Sequence, residues 1–216
     1  MLEADGKAEE ATKMIQEIQI ETYGSLQTVE KVDFILYQMK LVLQRRDFVR
    51  CQILSRKISK KHLNERGLEK QKVQYYMFLV QYFVHEKQSL ETAKAFQIIY
   101  DTQNAAPEEL DPSGQERLAS FQNFVIFLLL SPHSNEKVDL LNIVVAKYPR
   151  ELDTPQTEPL ARYLRRFLSS ELVPFDATIV QNEVRGYQPF LDSMEHGGLH
   201  LQEFLRQLIQ HNIRTV

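Results

Sequence analysis

His196 and His200 stand four residues apart with Glu195 and Glu203 beside them. On a helix that spacing sets two imidazoles on one face, as zinc-binding helices do. A metal-dependent enzyme built on His196, His200 and Glu203 is the chemistry such a cluster would support. Gly197 and Gly198 lie between the histidines, and each glycine costs about 1 kcal/mol in a helix interior. The two rings are therefore expected to straddle a helix start as part of a solvated turn, and no H-E-x-x-H motif supports a metal site.

A second set of residues is cationic. Arg45 and Arg46 precede a segment that ends in Arg56, Lys57, Lys60, Lys61 and His62. Cations near a helix C-terminus are favoured by the macrodipole, so a solvated helix end is preferred over a docking patch for an acidic partner. A nucleic-acid adaptor needs a strongly positive domain with interleaved exposed aromatics. The formal net charge of −3 argues against it. Cys51 is the single cysteine; it sits among Phe48, Leu54 and Ile58 and is expected to be a reduced, buried thiol. Tyr75, Tyr76, Phe78, Tyr82 and Phe83 spread over most of one helix and suit core packing better than a ligand box. The pairs Glu9–Glu10 and Glu108–Glu109 have no companion base. No Ser, His and Asp arrangement emerges from spacing, and no phosphate-binding glycine loop is present. Catalytic, cofactor-binding and metal residues are expected to be absent.

The elements that carry these residues are helical. Val32, Ile35, Leu36, Met39, Val42 and Leu43 recur at offsets of three, four and seven. Val73, Tyr76, Met77, Val80, Phe83 and Val84 repeat the offsets one helix pair later. Between Thr28 and Thr102 four amphipathic segments follow one another, with Asp47 and Ser89 as caps and Gly67 as a break. Short joints force antiparallel neighbours, and hairpins with one apolar stripe are satisfied by stacking. Gln103 to Gly114, with Pro107 and Pro112, reads as a loop. Leu118, Phe121, Val125, Leu128 and Leu129 then form a stripe, while Phe124, Ile126, Phe127 and Leu130 fill the other sides, as in a central helix. Asn135 can cap the helix carrying Val138, Leu141, Val144 and Val145, and Leu160, Leu164, Phe167 and Leu168 continue the series. From Leu172 to Gly198 prolines and glycines interrupt a short helix around Ile179 to Val184. The final helix, with Leu201, Phe204, Leu205, Leu208 and Ile213 on one side, requires a partner surface. An all-α fold is predicted, an irregular solenoid of antiparallel helix pairs without a strict repeat consensus.

A chain of 216 residues that is 43% hydrophobic can bury a core unaided. The longest apolar run, Phe124 to Leu130, is far short of a bilayer span, and the chain opens without a signal-like segment. A soluble intracellular protein is expected.

Particular blocks carry a family resemblance. Ile20-Glu21-Thr22-Tyr23-Gly24-Ser25, then Glu30 to Leu36 with Gln38-Met39, resembles the non-ATPase regulatory subunit 12 family of the 26S proteasome lid. Leu54 to Ile58, Ile99-Tyr100-Asp101-Thr102, Leu130-Ser131-Pro132 with Asn135 and Asp139-Leu140, Arg166-Phe167 with Glu171-Leu172, and His211-Asn212-Ile213-Arg214 follow in the same order. The Glu-Thr-Tyr-Gly-Ser and His-Asn-Ile-Arg blocks are the most specific. The subunit 4 family of the COP9 signalosome is similar in architecture but matches Glu21 to Ser25 less well.

The resemblance implies a PCI-type scaffold, a right-handed helical-repeat arm of the kind formed by TPR and HEAT pairs. In that family the arm leads into a winged helix, expected here to lie beyond the chain. It implies residues 1–172 as the arm, 173–198 as an irregular linker or short helix, and 199–216 as a helix leading toward the winged helix. The implied role is non-catalytic and without cofactors. The implied partners are other lid PCI subunits, the deubiquitinase pair and the core particle's outer ring, with no small-molecule substrate, nucleic acid or membrane. Cytoplasm and nucleus are the implied compartments. Val173-Pro174-Phe175 stands where the family has Met-Arg-Trp, and the stretch to Leu199 departs from the family pattern. A COP9 signalosome-like PCI scaffold or a generic helical-repeat adaptor is the alternative.

Overall fold

The computed structural model describes residues 15, 18, 27–169, 172–173, 176–194 and 198–215. Of residues 1–26, where the sequence pattern suggests a helix over 3–20 and a break at Thr22-Tyr23-Gly24-Ser25, only Ile15 and Ile18 are among the described residues. Among those described, all regular structure is helical, as the periodicity predicts. The contacts divide the chain into two compact units, one of residues 1–87 and 98–113 and the other of residues 88–97 and 114–216.

In the first unit, α1 (Thr28–Gln44), α2 (Phe48–Ser55) and α3 (Glu69–His85) pack on one another. The Glu30 carboxylate accepts the Gln27 N–H at 2.9 Å and fixes the start of α1. Val32, Ile35, Leu36, Met39, Val42 and Leu43 are all buried. The turn into α2 needs Arg46 at φ 57°, and Asp47 accepts the Arg50 N–H at 3.0 Å as the cap. Gly67, at φ 88°, sits where a left-handed backbone is required before α3.

The buried face of α3 is rotated from the expected one. Tyr75, Tyr76, Leu79, Val80 and Tyr82 are buried, whereas Met77 and Val84 are exposed. The Tyr75 hydroxyl donates to the Ser55 carbonyl at 3.3 Å, which gives this buried polar tip a partner in α2. Burial pushes its pKa up to about 12.

Helix α4 (Ser89–Ala105) runs past Thr102, and Pro107 starts a further turn, α5 (Pro107–Leu110). The Gln103–Gly114 stretch is thus only partly a loop. Proline occupies the first helical position, where its missing N–H has no role.

The second unit gathers round α6 (Gln115–Leu130), which is buried over its whole second half. Against it lie α7 (Asn135–Lys147), α9 (Glu158–Leu168), α11 (Gln188–Met194) and α12 (Leu199–Thr215). The single turn α8 (Pro149–Leu152) packs on α7 and α9, and α10 (Ala177–Val184) on α9 and α12. Phe121 and Phe124 meet Tyr148 edge-on at 5.6 and 6.1 Å.

The N-cap of α7 is Ser134, whose side chain accepts the Lys137 N–H at 3.1 Å, and Asn135 is the first helical residue instead of the cap. Helix α12 finds its partner within this unit. Phe204 stacks edge-on against Tyr163 and Phe190. The buried face is Phe204, Gln207, Leu208 and His211, leaving Ile213 exposed. The stretch from 173 to 198 holds two short helices: Asp176 caps α10 through the Thr178 and Ile179 amides. The Asn212 side chain pairs with both backbone groups of Val173, each at 2.8 Å.

Candidate functional site

The polar groups singled out from the sequence that fall among the described residues have definite places. His200 lies in the first turn of α12, and its Nδ1 donates to the Pro189 carbonyl at 2.9 Å. A carbonyl can only accept, so Nδ1 carries the proton. The ring meets Phe127 edge-on at 5.5 Å. Glu203 accepts from the Gln207 side chain at 2.6 Å and faces Arg206 at 3.6 Å. His196 and Glu195 lie outside the described residues. No three His, Cys, Asp or Glu side chains among the described residues stand together as a metal would need.

Cys51 is fully buried on the inner face of α2. Burial, and then the Asp47 charge, push its thiol up to about 12. A thiol so shifted is protonated at neutral pH and unreactive. Thiol-directed alkylation is therefore expected to leave the folded chain unlabelled and to label Cys51 fully once urea unfolds it. Labelling of the folded chain at the rate of a free thiol would contradict this burial.

A cleft of about 280 Å³ opens in the first unit, with Leu63, Glu65, Glu69, Lys72, Ile98 and Asp101 on its wall. His62 and Glu65 pair there at 2.8 Å, but they are neighbours on one exposed turn. The nearby Thr102 hydroxyl donates to the Ile98 carbonyl at 2.7 Å, so it is held as a helix back-bond and not aimed at an imidazole. Glu109 forms an ion pair with Lys70 at 3.3 Å.

The cationic set clusters around α2. Arg45, Arg46, Arg56, Lys60 and Lys61 are exposed and Lys57 is half-buried. Helix α2 ends at Ser55 with Arg56 as its C-cap, so Lys60 and Lys61 fall beyond the helix they were expected to finish. Phe48, in the same helix, has its ring stacked on His85 at 3.9 Å.

Lys137 is the residue that sequence reasoning missed. It lies in the first turn of α7 yet is only 1% exposed. Its Nζ donates to the carbonyls of Leu129 at 3.1 Å and Ser131 at 2.5 Å, and it sits 4.7 Å from the centre of the Phe167 ring. Helix α6 ends in the core, away from water, and its last carbonyls need donors. The Ser131 hydroxyl caps the Leu128 carbonyl at 2.7 Å, and Lys137 caps those of Leu129 and Ser131. The available signal was the all-round apolar α6, because a helix buried to its end requires a donor from the segment that follows. Nearby, Tyr163 donates to Glu183 at 2.5 Å, with Arg162 completing the link between α9 and α10 at 3.3 Å. These groups are spent on holding helices together.

No described helix is long and apolar enough to cross a membrane. A family model described as PSMD12/CSN4, N-terminal matches residues 1–108. The chain is 32% identical to the 26S proteasome regulatory subunit RPN5 of Saccharomyces cerevisiae over 98% of its own length and 46% of that protein's. It is 29% identical to the 26S proteasome non-ATPase regulatory subunit 12 of Dictyostelium discoideum, over 99% of this chain and 45% of the relative. It is 30% identical to the regulatory subunit rpn501 of Schizosaccharomyces pombe, over 99% and 47%. The chain thus spans about half the length of the curated relatives it matches. With the family model covering α1 to α4 and the relatives aligned through α12, the chain belongs to the PSMD12/CSN4 family.

Proposed function

We propose that the chain is a non-catalytic scaffold that holds together subunits of the 26S proteasome regulatory particle and so serves ubiquitin-dependent protein degradation. The similarity to regulatory subunits over 98–99% of the chain is the observation that carries this reading. It agrees with the chemistry of the polar side chains: Lys137, Tyr163, Glu183 and Asn212 bind backbone groups or one another across helix joints. Helices whose inner faces are saturated in this way offer their outer faces to neighbours. The partners proposed are the other PCI subunits of the lid, the deubiquitinase pair and the outer ring of the core particle, met in cytoplasm and nucleus.

Purifying the full-length protein from its own cells and identifying what is recovered with it tests the proposal. Regulatory-particle subunits are expected in near-equal amounts. Recovery without them would overturn the scaffold reading. Recovery with COP9 signalosome subunits instead would assign the chain to the other half of its family.

A further inference from the structure

The outer face of α2 carries an apolar pair set between cations. Val49 and Ile53 are 68% and 53% exposed, and at a spacing of four they adjoin on one side of the helix. Arg46 lies in the turn just before the helix, at φ 57°, and Arg50 precedes Ile53 by three along it. Arg56 and Lys57 follow Ile53 by three and four, so the ridge is basic at each end. The inner face holds Cys51, Leu54 and Ser55, all buried, and α2 therefore cannot rotate to hide Val49 and Ile53. Between Arg45 and Lys61 the chain has seven cations and one carboxylate, in a protein whose formal net charge is −3.

The macrodipole explains only part of this set. It favours Arg45 at the end of α1 and Arg56 at the end of α2. It disfavours Arg50 in the first turn of α2, where the pairing with Asp47 at 3.3 Å offsets the charge of one arginine. It has no bearing on Lys60 and Lys61. Exposed cations, Arg46, Arg56, Lys60 and Lys61 among them, concentrated on one short stretch around two exposed aliphatic side chains, select a partner of opposite sign that also brings apolar surface.

Resting on the scaffold reading, we propose that this ridge docks an acidic amphipathic helix of a partner protein, its apolar side chains on Val49 and Ile53 and its carboxylates facing Arg46, Arg50 and Arg56. Nucleic acid fits less well. The ridge presents aliphatic groups where base stacking needs aromatic ones, and Phe48 of the same helix is already stacked on His85.

The test uses the chain with synthetic helical peptides of about four turns, followed by fluorescence anisotropy. One peptide carries a leucine pair at a spacing of four flanked by glutamates. A second has lysines for the glutamates, and a third keeps the glutamates but has serines for the leucines. The first peptide is expected to bind, to weaken as salt is raised, and to lose about tenfold or more in affinity against V49S/I53S and against R46Q/R56Q. All four positions are exposed, so the variants are expected to keep the parent's urea midpoint. Absence of binding, equal binding of the three peptides, indifference to both double variants, or tighter binding of single-stranded RNA would each overturn the proposal. Failure of the full-length protein to co-purify with proteasome subunits would remove the scaffold reading instead, and the peptide result would still decide the ridge.

Discussion

Replacing Leu128 by alanine is expected to lower the unfolding free energy of the second unit by about 3–5 kcal/mol, the upper part of the range for a buried leucine. Leu128 is completely buried on α6, and α7, α9, α11 and α12 all pack against that helix. A cavity closes only where a neighbour can move into it. Here two of these neighbours are tied elsewhere: α9 to α10 through Tyr163 and Glu183, and α12 to Val173 through Asn212. Little relaxation is available, so the transfer loss and the cavity add. K60A and K61A, at exposed positions, are expected to change stability by about 0.5 kcal/mol or less. Urea titration followed by circular dichroism measures all three. Equal, small effects at the three sites would show that α6 is not the packed centre described.

Much of this architecture is legible in the periodicity of the chain, and the misses share one cause. A three-four spacing fixes that a helix has an apolar stripe, but the number of neighbours fixes how wide the buried sector becomes. On α3 the buried set includes Tyr75, Leu79 and Tyr82, while Met77 and Val84 of the expected stripe face outward. Tyrosine buries there because Ser55 receives the hydroxyl of Tyr75, a contact 20 residues away that no local pattern contains. The partner surface that the final helix requires is hidden from local pattern for the same reason, since α6 and α11 precede it and two glycines separate it from the nearer one. In the 173–198 stretch the short helix expected around Ile179 to Val184 is α10, whereas proline and glycine punctuation conceals α11, which is too short to display a period. The Asp176 cap starts α10, and the Asn212 bridge ties Val173 to α12.

The functional surface was half legible. The charges of Arg45 to Lys61 are plain in the sequence, and Phe48, Cys51, Leu54 and Ile58 mark the inner side of α2. The exposure of Val49 and Ile53 follows only when the helix is placed, because an aliphatic residue in an isolated stripe carries no label for inside or outside. The zinc-like spacing of His196 and His200 shows the converse. Spacing implies a shared face only along a continuous helix, and His200 belongs to α12, which begins at Leu199.

Stability is expected to rise with pH between about 7 and 10 through Lys137, and the K137M variant is expected to lack that rise. Burial, then the neighbouring Arg214, push the Lys137 ammonium down to about 7, while Glu203 opposes them. His133 and His211 are the other titratable groups facing this end of α7. The unfolded chain keeps the proton up to the ordinary lysine value of 10.5. In the window between the two values the unfolded state therefore binds more protons, and raising the pH stabilises the folded one. Neutralisation does not break the cap. A neutral amine retains two N–H groups, which match the carbonyls of Leu129 and Ser131, and the third proton of the ammonium faces the Phe167 ring. Methionine fills nearly the same volume but leaves both buried acceptors without that donor, at a cost of about 2–5 kcal/mol where the lysine is neutral. Below pH about 7 the parent bears the cost of a buried charge, so the gap between parent and variant narrows there. Urea midpoints of both proteins at acidic, neutral and alkaline pH measure the difference. Parallel curves across the window would show that Lys137 titrates like a solvated lysine and does not close the end of α6.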